Sequence, residues 1–289
     1  MIFDTHSHCY WDTLEPRIDD IIANMQASWV VKSTQIGCDI DSSLKAITLA
    51  QRYPWIFYAT VGHHPEIAQD IEITDMKLQI CDFEKLVQEN RDIIVAIGET
   101  GFDHHYLEWM TPEIQQELKK NSHLFAELLP EGAKKQIQNQ ERWWLAQWDL
   151  AKRYDLPLVI HTRDAREATL IFMKEHNIDR CVIHCFSEDW DFARSLLEFS
   201  TEIYFSFSGI LTYKSAPKIQ EAASKIPLDR ILIETDSPFL SPQVVRGTVN
   251  EPANTRYVLD KLCEFRSESR EEIERVVYEN SLRFYSLQS

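Results

Sequence analysis

Eight short apolar runs recur along the chain, and between most of them lies a segment with helical spacing; this alternation constrains the fold more than any other feature. The runs cover 1–4, 29–36, 55–61, 93–97, 157–160, 181–183, 202–207 and 230–233. The helical segments cover 17–28, 42–53, 82–90, 139–154, 164–176, 189–199, 215–225 and 270–285. In the first of these, Ile18, Ile21, Ile22 and Met25 fall on one face. Strands alternating with helices predict βαβ units and a parallel sheet. Eight repeats predict an α/β fold of the (β/α)8 barrel type, whose chemistry sits at the C-terminal ends of the strands. An open doubly wound sheet is the competing architecture, but no Gly-x-Gly-x-x-Gly follows any strand. A length of 289 residues suits one such domain over 1–289.

Composition narrows the setting. Hydrophobic residues make up 44% of the chain, enough for a large core. No apolar run approaches the ~20 residues that cross a bilayer, and Asp4 and His6 interrupt the start where a leader would be apolar. Six cysteines scattered beside apolar residues suggest reduced, cytoplasmic usage rather than a disulfide framework. A net charge of -16 argues against a broad basic surface for nucleic acid, although bound cations could invert that sign locally.

The polar residues fall where a barrel would use them. The first strand runs into His6-Ser7-His8, whose histidines share a strand face. Glu99 follows strand four, His161 ends strand five, His184 ends strand six and Asp236 ends strand eight. Taken singly, each has a structural explanation as a core histidine, helix cap or turn residue. Jointly, four histidines and two carboxylates converge on one mouth. They exceed the needs of one tetrahedral ion and suit two divalent metal ions. His6, His8 and Asp236 would serve one ion, His161 and His184 the other, with Glu99 bridging. Such a pair activates water for hydrolysis, and Asp236 could take the proton of that water. The nitrogen-rich donor set favours zinc, manganese or another transition ion, with magnesium open at the more carboxylate-rich position.

The motifs resemble the TatD family of metal-dependent deoxyribonucleases, metallohydrolase barrels. The resemblance runs through Asp4-Thr5-His6-Ser7-His8, Gly62-His63-His64-Pro65, Gly98-Glu99-Thr100-Gly101-Phe102-Asp103, Ile160-His161-Thr162-Arg163, His184-Cys185-Phe186-Ser187 and Glu234-Thr235-Asp236-Ser237-Pro238. Arg246-Gly247 and Asn250-Glu251-Pro252-Ala253-Asn254 extend it. The resemblance implies a TIM barrel, metal ligands at His6, His8, Glu99, His161, His184 and Asp236, and removal of nucleotides from DNA, often from the 3′ end of single strands. Catalysis would rest on Asp236, Glu99 and His64. Arg163 could clamp a phosphate oxygen or pack the rim, Lys214 could face phosphate or solvent, and His64 could protonate the leaving oxygen or cap a turn. Asp103 and Glu234 could orient ligands from behind.

Two features depart from the family pattern. Glu188 stands where Phe-Ser-Gly would have glycine, adding bulk and negative charge near the mouth. An insertion of about 25 residues occupies roughly 107–139, a length at which a βα loop is often functional. Thr111-Pro112-Glu113 would start a helix, Ile114, Leu118, Phe125, Leu128 and Leu129 would give it apolar faces, and Pro130-Glu131-Gly132 would break it. A lid, a self-association surface on an otherwise monomeric protein, and a passive flap all stand as readings.

Two rival functions remain at this level. The same barrel and metals could hydrolyse a small-molecule amide or ester, which the acidic surface favours. Alternatively the metals could serve structure alone, although so many ligands suit open sites better. Trp143, Trp144 and Trp148 are expected to pack helix against barrel rather than stack bases. A separate zinc knot at Cys181 and Cys185 is disfavoured, because alternate strand positions would bury both.

Overall fold

The computed structural model describes residues 1–107, 111, 113–114 and 129–288. Its eight strands are β1 (Ile2–Ser7), β2 (Val30–Gln35), β3 (Phe57–Val61), β4 (Ile94–Asp103), β5 (Leu158–Arg163), β6 (Cys181–Ile183), β7 (Ile203–Phe207) and β8 (Ile231–Ile233). They neighbour one another in sequence order, all parallel. The helices are α1 (Ile18–Ala27), α2 (Ile40–Arg52), α3 (Pro65–Ala68), α4 (Ile73–Glu89), α5 (Glu131–Tyr154), α6 (Arg166–His176), α7 (Trp190–Phe199), α8 (Pro217–Lys225), α9 (Thr255–Glu264) and α10 (Arg270–Phe284). This is the predicted (β/α)8 barrel.

The barrel closes at its C-terminal end. β8 is only three residues long, and β1 meets the segment that follows it through one isolated bridge, between Ser7 and Ser237. Backbone bonds from Asp236 N to His6 O (2.9 Å) and from His8 N to Ser237 O (2.8 Å) complete that seam. Below them, the buried Asp4 carboxylate accepts from Thr235 N at 2.8 Å and Thr235 Oγ1 at 2.9 Å. Side chains thus satisfy backbone groups that a full ladder would have paired. The seam is built from the residues that carry the candidate site.

Two apolar layers hold this frame. Alternate strand residues turn inward, and Phe3, Tyr58, Val95, Val159, Val182, Tyr204 and Leu232 cluster with Leu282, Phe284 and Tyr285 from the end of α10. Tyr285 Oη donates to Thr5 O at 2.7 Å, anchoring that plug. The second layer lies between strands and helices and includes Trp143 and Trp144, both buried. Each such side chain contributes roughly 1.5–3 kcal/mol on burial. The three tryptophans therefore pack helix against barrel, as expected.

Several boundaries differ from the expected ones. β4 continues to Asp103, so Glu99 to Asp103 lie within the strand rather than beyond it. α4 begins at Ile73, not at residue 82, because Met76 and Ile80 extend the stripe of Phe83 and Val87 backwards. Pro130 is the N-cap of α5, so Glu131 and Gly132 open that helix; the run expected to end before them lies outside the described residues. The first two turns of α5 bury only Ala133, so no apolar stripe announced them. α9 was not anticipated. Of the insertion, Pro112, Leu118, Phe125 and Leu128 lie outside the described residues; Thr111 Oγ1 accepts from Ile114 N at 3.4 Å. No described helix is long and apolar enough to cross a membrane.

Candidate metal centre

Glu99 sits at the middle of the mouth, buried, with its two oxygens facing different histidines. Oε1 is 2.7 Å from both His161 Nδ1 and His184 Nε2, whereas Oε2 is 3.4 Å from His6 Nε2. Asp236 Oδ1 faces His6 Nε2 at 3.6 Å and His8 Nε2 at 3.5 Å. The ring of His6 stacks on that of His184 with centroids 4.0 Å apart. The six side chains singled out in the sequence are thus brought together.

Burial alone would raise the Glu99 carboxyl, yet the imidazoles of His184, His64 and His161 hold it well below the usual range. Burial also opposes ionisation of Asp236, and His8, His6 and His184 outweigh it. Both carboxylates are therefore anionic. His6 goes the other way: burial and the neighbouring His184 lower it, keeping a neutral ring with a free lone pair. Both nitrogens of His6 are buried without a hydrogen-bond partner. An unsatisfied imidazole between carboxylates is costly unless a cation occupies the space it faces. The donor set fits a divalent metal on that ground. Among the described residues, His6, Glu99 and His184 form one group with ligand atoms within 4.8 Å, and His6, His8 and Asp236 another.

Outer contacts fix how each ring points. His8 Nδ1 lies 3.1 Å from Ile36 O, leaving Nε2 for the site. His184 Nδ1 faces the buried Glu234 at 3.3 Å, and His161 Nε2 faces Asp103 at 3.0 Å. A carboxylate behind an imidazole holds its N–H and aims the other nitrogen inward. The fold and this geometry invite comparison with known proteins. The family described as TatD related DNase matches residues 3–286. The chain belongs to that family.

Relatives agree. A Bacillus subtilis protein named as the uncharacterized metal-dependent hydrolase YabD is 31% identical, the match covering 99% of this chain and 100% of that one. The Escherichia coli K12 protein YcfH, named likewise, is 30% identical over 99% of this chain and 97% of its own. Among solved structures, the Escherichia coli TatD homolog YJJV has a TM-score of 0.82 at 23% identity, covering 99% and 98% of the two chains. An uncharacterized amidohydrolase from Saccharomyces cerevisiae gives 0.77 at 14%, covering 98% and 99%. These two structural likenesses carry the fold.

Around the TatD-family core, the other expected residues separate. His63 and His64 are adjacent but differ in setting. His63 is buried against Trp143 and Phe83, and its Nε2 meets Gln79 Oε1 at 2.5 Å. His64 caps α3, Nδ1 accepting from Glu66 N at 3.2 Å, while Nε2 reaches within 3.3 Å of His161 Nδ1 and 3.5 Å of Glu99. It both caps a turn and faces the centre. Arg163 is exposed at the end of β5 with its guanidinium 4.8 Å from the Tyr106 ring centroid. Lys214 is exposed beyond β7. Glu188 lies 4.0 Å from Arg166, whose closer partner is Asp189 at 2.7 Å. Cys181 and Cys185 are free thiols, and neither belongs to a candidate metal group among the described residues.

Two contributors escaped the sequence reading. Cys38, just beyond β2, puts Sγ 4.0 Å from His8 Nδ1 and groups with His8 and Glu99. Its place after a strand end was the available signal. Gln147 on α5 donates to Thr100 Oγ1 at 2.7 Å and accepts from His63 N at 2.9 Å, tying the helix to β4 and the β3 turn. Nothing in its spacing distinguishes it from other helix glutamines.

Proposed function

We propose that this chain is a divalent-metal-dependent phosphodiesterase acting on DNA, releasing nucleotides from single-stranded 3′ ends. The observation that carries the reading is the divided Glu99 carboxylate, with one oxygen toward His6 and the other toward His161 and His184. A shared carboxylate between two sets of imidazoles suits two ions. When bound, such ions polarise a phosphoryl oxygen and lower the pKa of water.

The protein's own groups would supply the rest. His6, His8 and Asp236 would hold one ion, and His161 and His184 the other, with Glu99 between. Asp236, anionic and partly open to solvent, is suited to take the proton of the attacking water. His64 accepts at Nδ1 from Glu66 N, so its proton resides on Nε2, the atom that faces the centre. That tautomer is suited to donate a hydrogen bond to the negative charge that develops on the leaving oxygen. Arg163 and Lys214 would add positive charge at the rim of an otherwise acidic protein.

The whole chain would act as one domain, cytoplasmic and monomeric, with the insertion as lid or self-association surface. The net charge of -16 favours a second reading, hydrolysis of a small amide or ester. Nucleotide release from a single-stranded oligonucleotide with a free 3′ end, with magnesium, manganese or zinc in turn, separates the two. Metal-dependent mononucleotide release, lost with chelator and in Asp236→Asn, supports the nuclease. Absence of release from metal-loaded protein would transfer the assignment to the small-molecule hydrolase.

A further inference from the structure

Two exposed aromatic rings stand at the mouth beside the candidate centre. Trp11 is 37% and Phe239 46% exposed, and their rings meet edge to face, with centroids 5.1 Å apart and planes at 88°. The Trp11 ring also lies 5.6 Å from that of His8. Both hang from turns that follow a site residue by three positions. Trp11 N donates to His8 O at 3.1 Å, and Phe239 N donates to Asp236 O at 2.9 Å. The pair is therefore held by the same backbone that presents His8 and Asp236.

Exposed aromatics alone mean little, and this chain has others. Trp29 and Trp55 are 71% and 78% exposed, but they precede β2 and β3, at the opposite end of the barrel. At the mouth, Trp11 and Phe239 form a right-angled notch against the candidate ligand His8. Such a notch offers a flat apolar face and an edge, the shape a planar ring system fills. We infer that Trp11 and Phe239 form a stacking notch for the nucleobase of the nucleotide whose phosphate would be bound through the cation held at His8 and Asp236.

The inference rests on the phosphodiesterase reading and deepens it, because it says how so acidic a protein holds its substrate. With a net charge of -16, little affinity comes from a basic track along the backbone. Stacking is indifferent to that charge and tolerant of base identity. The substrate class is then a nucleotide terminus recognised by its base face rather than a polyanion recognised by its charge.

Calorimetry on metal-loaded protein tests this without any turnover, using dAMP and 2-deoxyribose 5-phosphate, which has an anomeric hydroxyl in place of the base. Wild-type protein should bind dAMP about tenfold more tightly. Trp11→Ala and Phe239→Ala should each bring that ratio close to one, and Trp11→Phe should keep most of it. Equal binding of the two probes by wild type would overturn the notch, as would a base preference that survives both alanine variants. If Trp11→Ala fails to fold by circular dichroism, Phe239→Leu carries the same comparison. A base preference without nucleotide release from oligonucleotides would keep the notch and remove the nuclease. Release without a base preference would do the reverse.

Discussion

Asp103 Oδ2 lies 3.0 Å from His161 Nε2, on the side of the ring away from Glu99. Burial pulls the His161 imidazole down, but Asp103 and Glu99 together raise it to about 8. Asp103 fixes the ring so that Nδ1 is the atom offered to the centre. Asp103→Asn keeps the shape but removes the charge and lets the amide flip. Metal affinity should fall about 10- to 100-fold, read by titration of the stripped protein with zinc or manganese. Unchanged affinity would reduce Asp103 to a packing residue.

Glu99 should matter to every ion the centre takes. Wild-type protein is expected to hold two divalent ions per chain by elemental analysis, and Glu99→Ala substantially fewer, with hydrolysis at background. Because a metal binds the folded state, free metal at 100 times its Kd should add about 2.7 kcal/mol to stability. Chelator should remove that increment from wild type and change Glu99→Ala little in thermal melts. Full metal content in Glu99→Ala would refute the bridging role.

How far the sequence reached depended on what each feature leaves as a pattern. Strands and their polar ends are written in periods of two, so the sequence alone places His6, His8, His161, His184 and Asp236 at one mouth. Contacts between strands have no such signature. Asp103 and Glu234 could be expected to stand behind ligands, but nothing in the spacing shows which ring each one backs or that Asp4 closes the seam through Thr235, because these depend on register. Helix ends blurred where apolar residues thin out, as in the first two turns of α5, where only Ala133 is buried; further along, the buried polar Asn139, Gln140 and Gln147 bond to strands and loops. Cys38 was absorbed into the count of reduced thiols because a lone cysteine reads as core.

His63 gives a pH dependence separable from the centre. Burial lowers its imidazole to about 4, against the opposing pull of Gln79 and Asp39. Between about pH 6.5 and 4 the unfolded chain binds a proton that folded His63 refuses, so stability must fall as pH drops through that window. The loss attributable to this one group is roughly 3 kcal/mol when complete. His63→Leu should show a shallower slope of urea stability against pH, by up to about 1.4 kcal/mol per unit near pH 5.5. Parallel slopes for wild type and variant would mean that His63 does not carry this proton.

Gly101 links backbone geometry to the centre more directly. It pairs with His161 in the β4–β5 register and has φ +132, a conformation that L side chains rarely adopt. A Cβ there would stand 2.1 Å from the His161 carbonyl oxygen, a backbone atom with no rotamer to yield. Gly101→Ala must therefore either strain β4 or push His161 away from Glu99. Stability should fall by about 1–3 kcal/mol or more, and metal affinity should fall with it. Gly247→Ala is the control: its φ is +92, but a Cβ would meet nothing within 4 Å. That variant should lose about 1 kcal/mol or so and bind metal as wild type does. If both glycine variants weakened metal equally, the effect would come from general destabilisation and not from the position of His161.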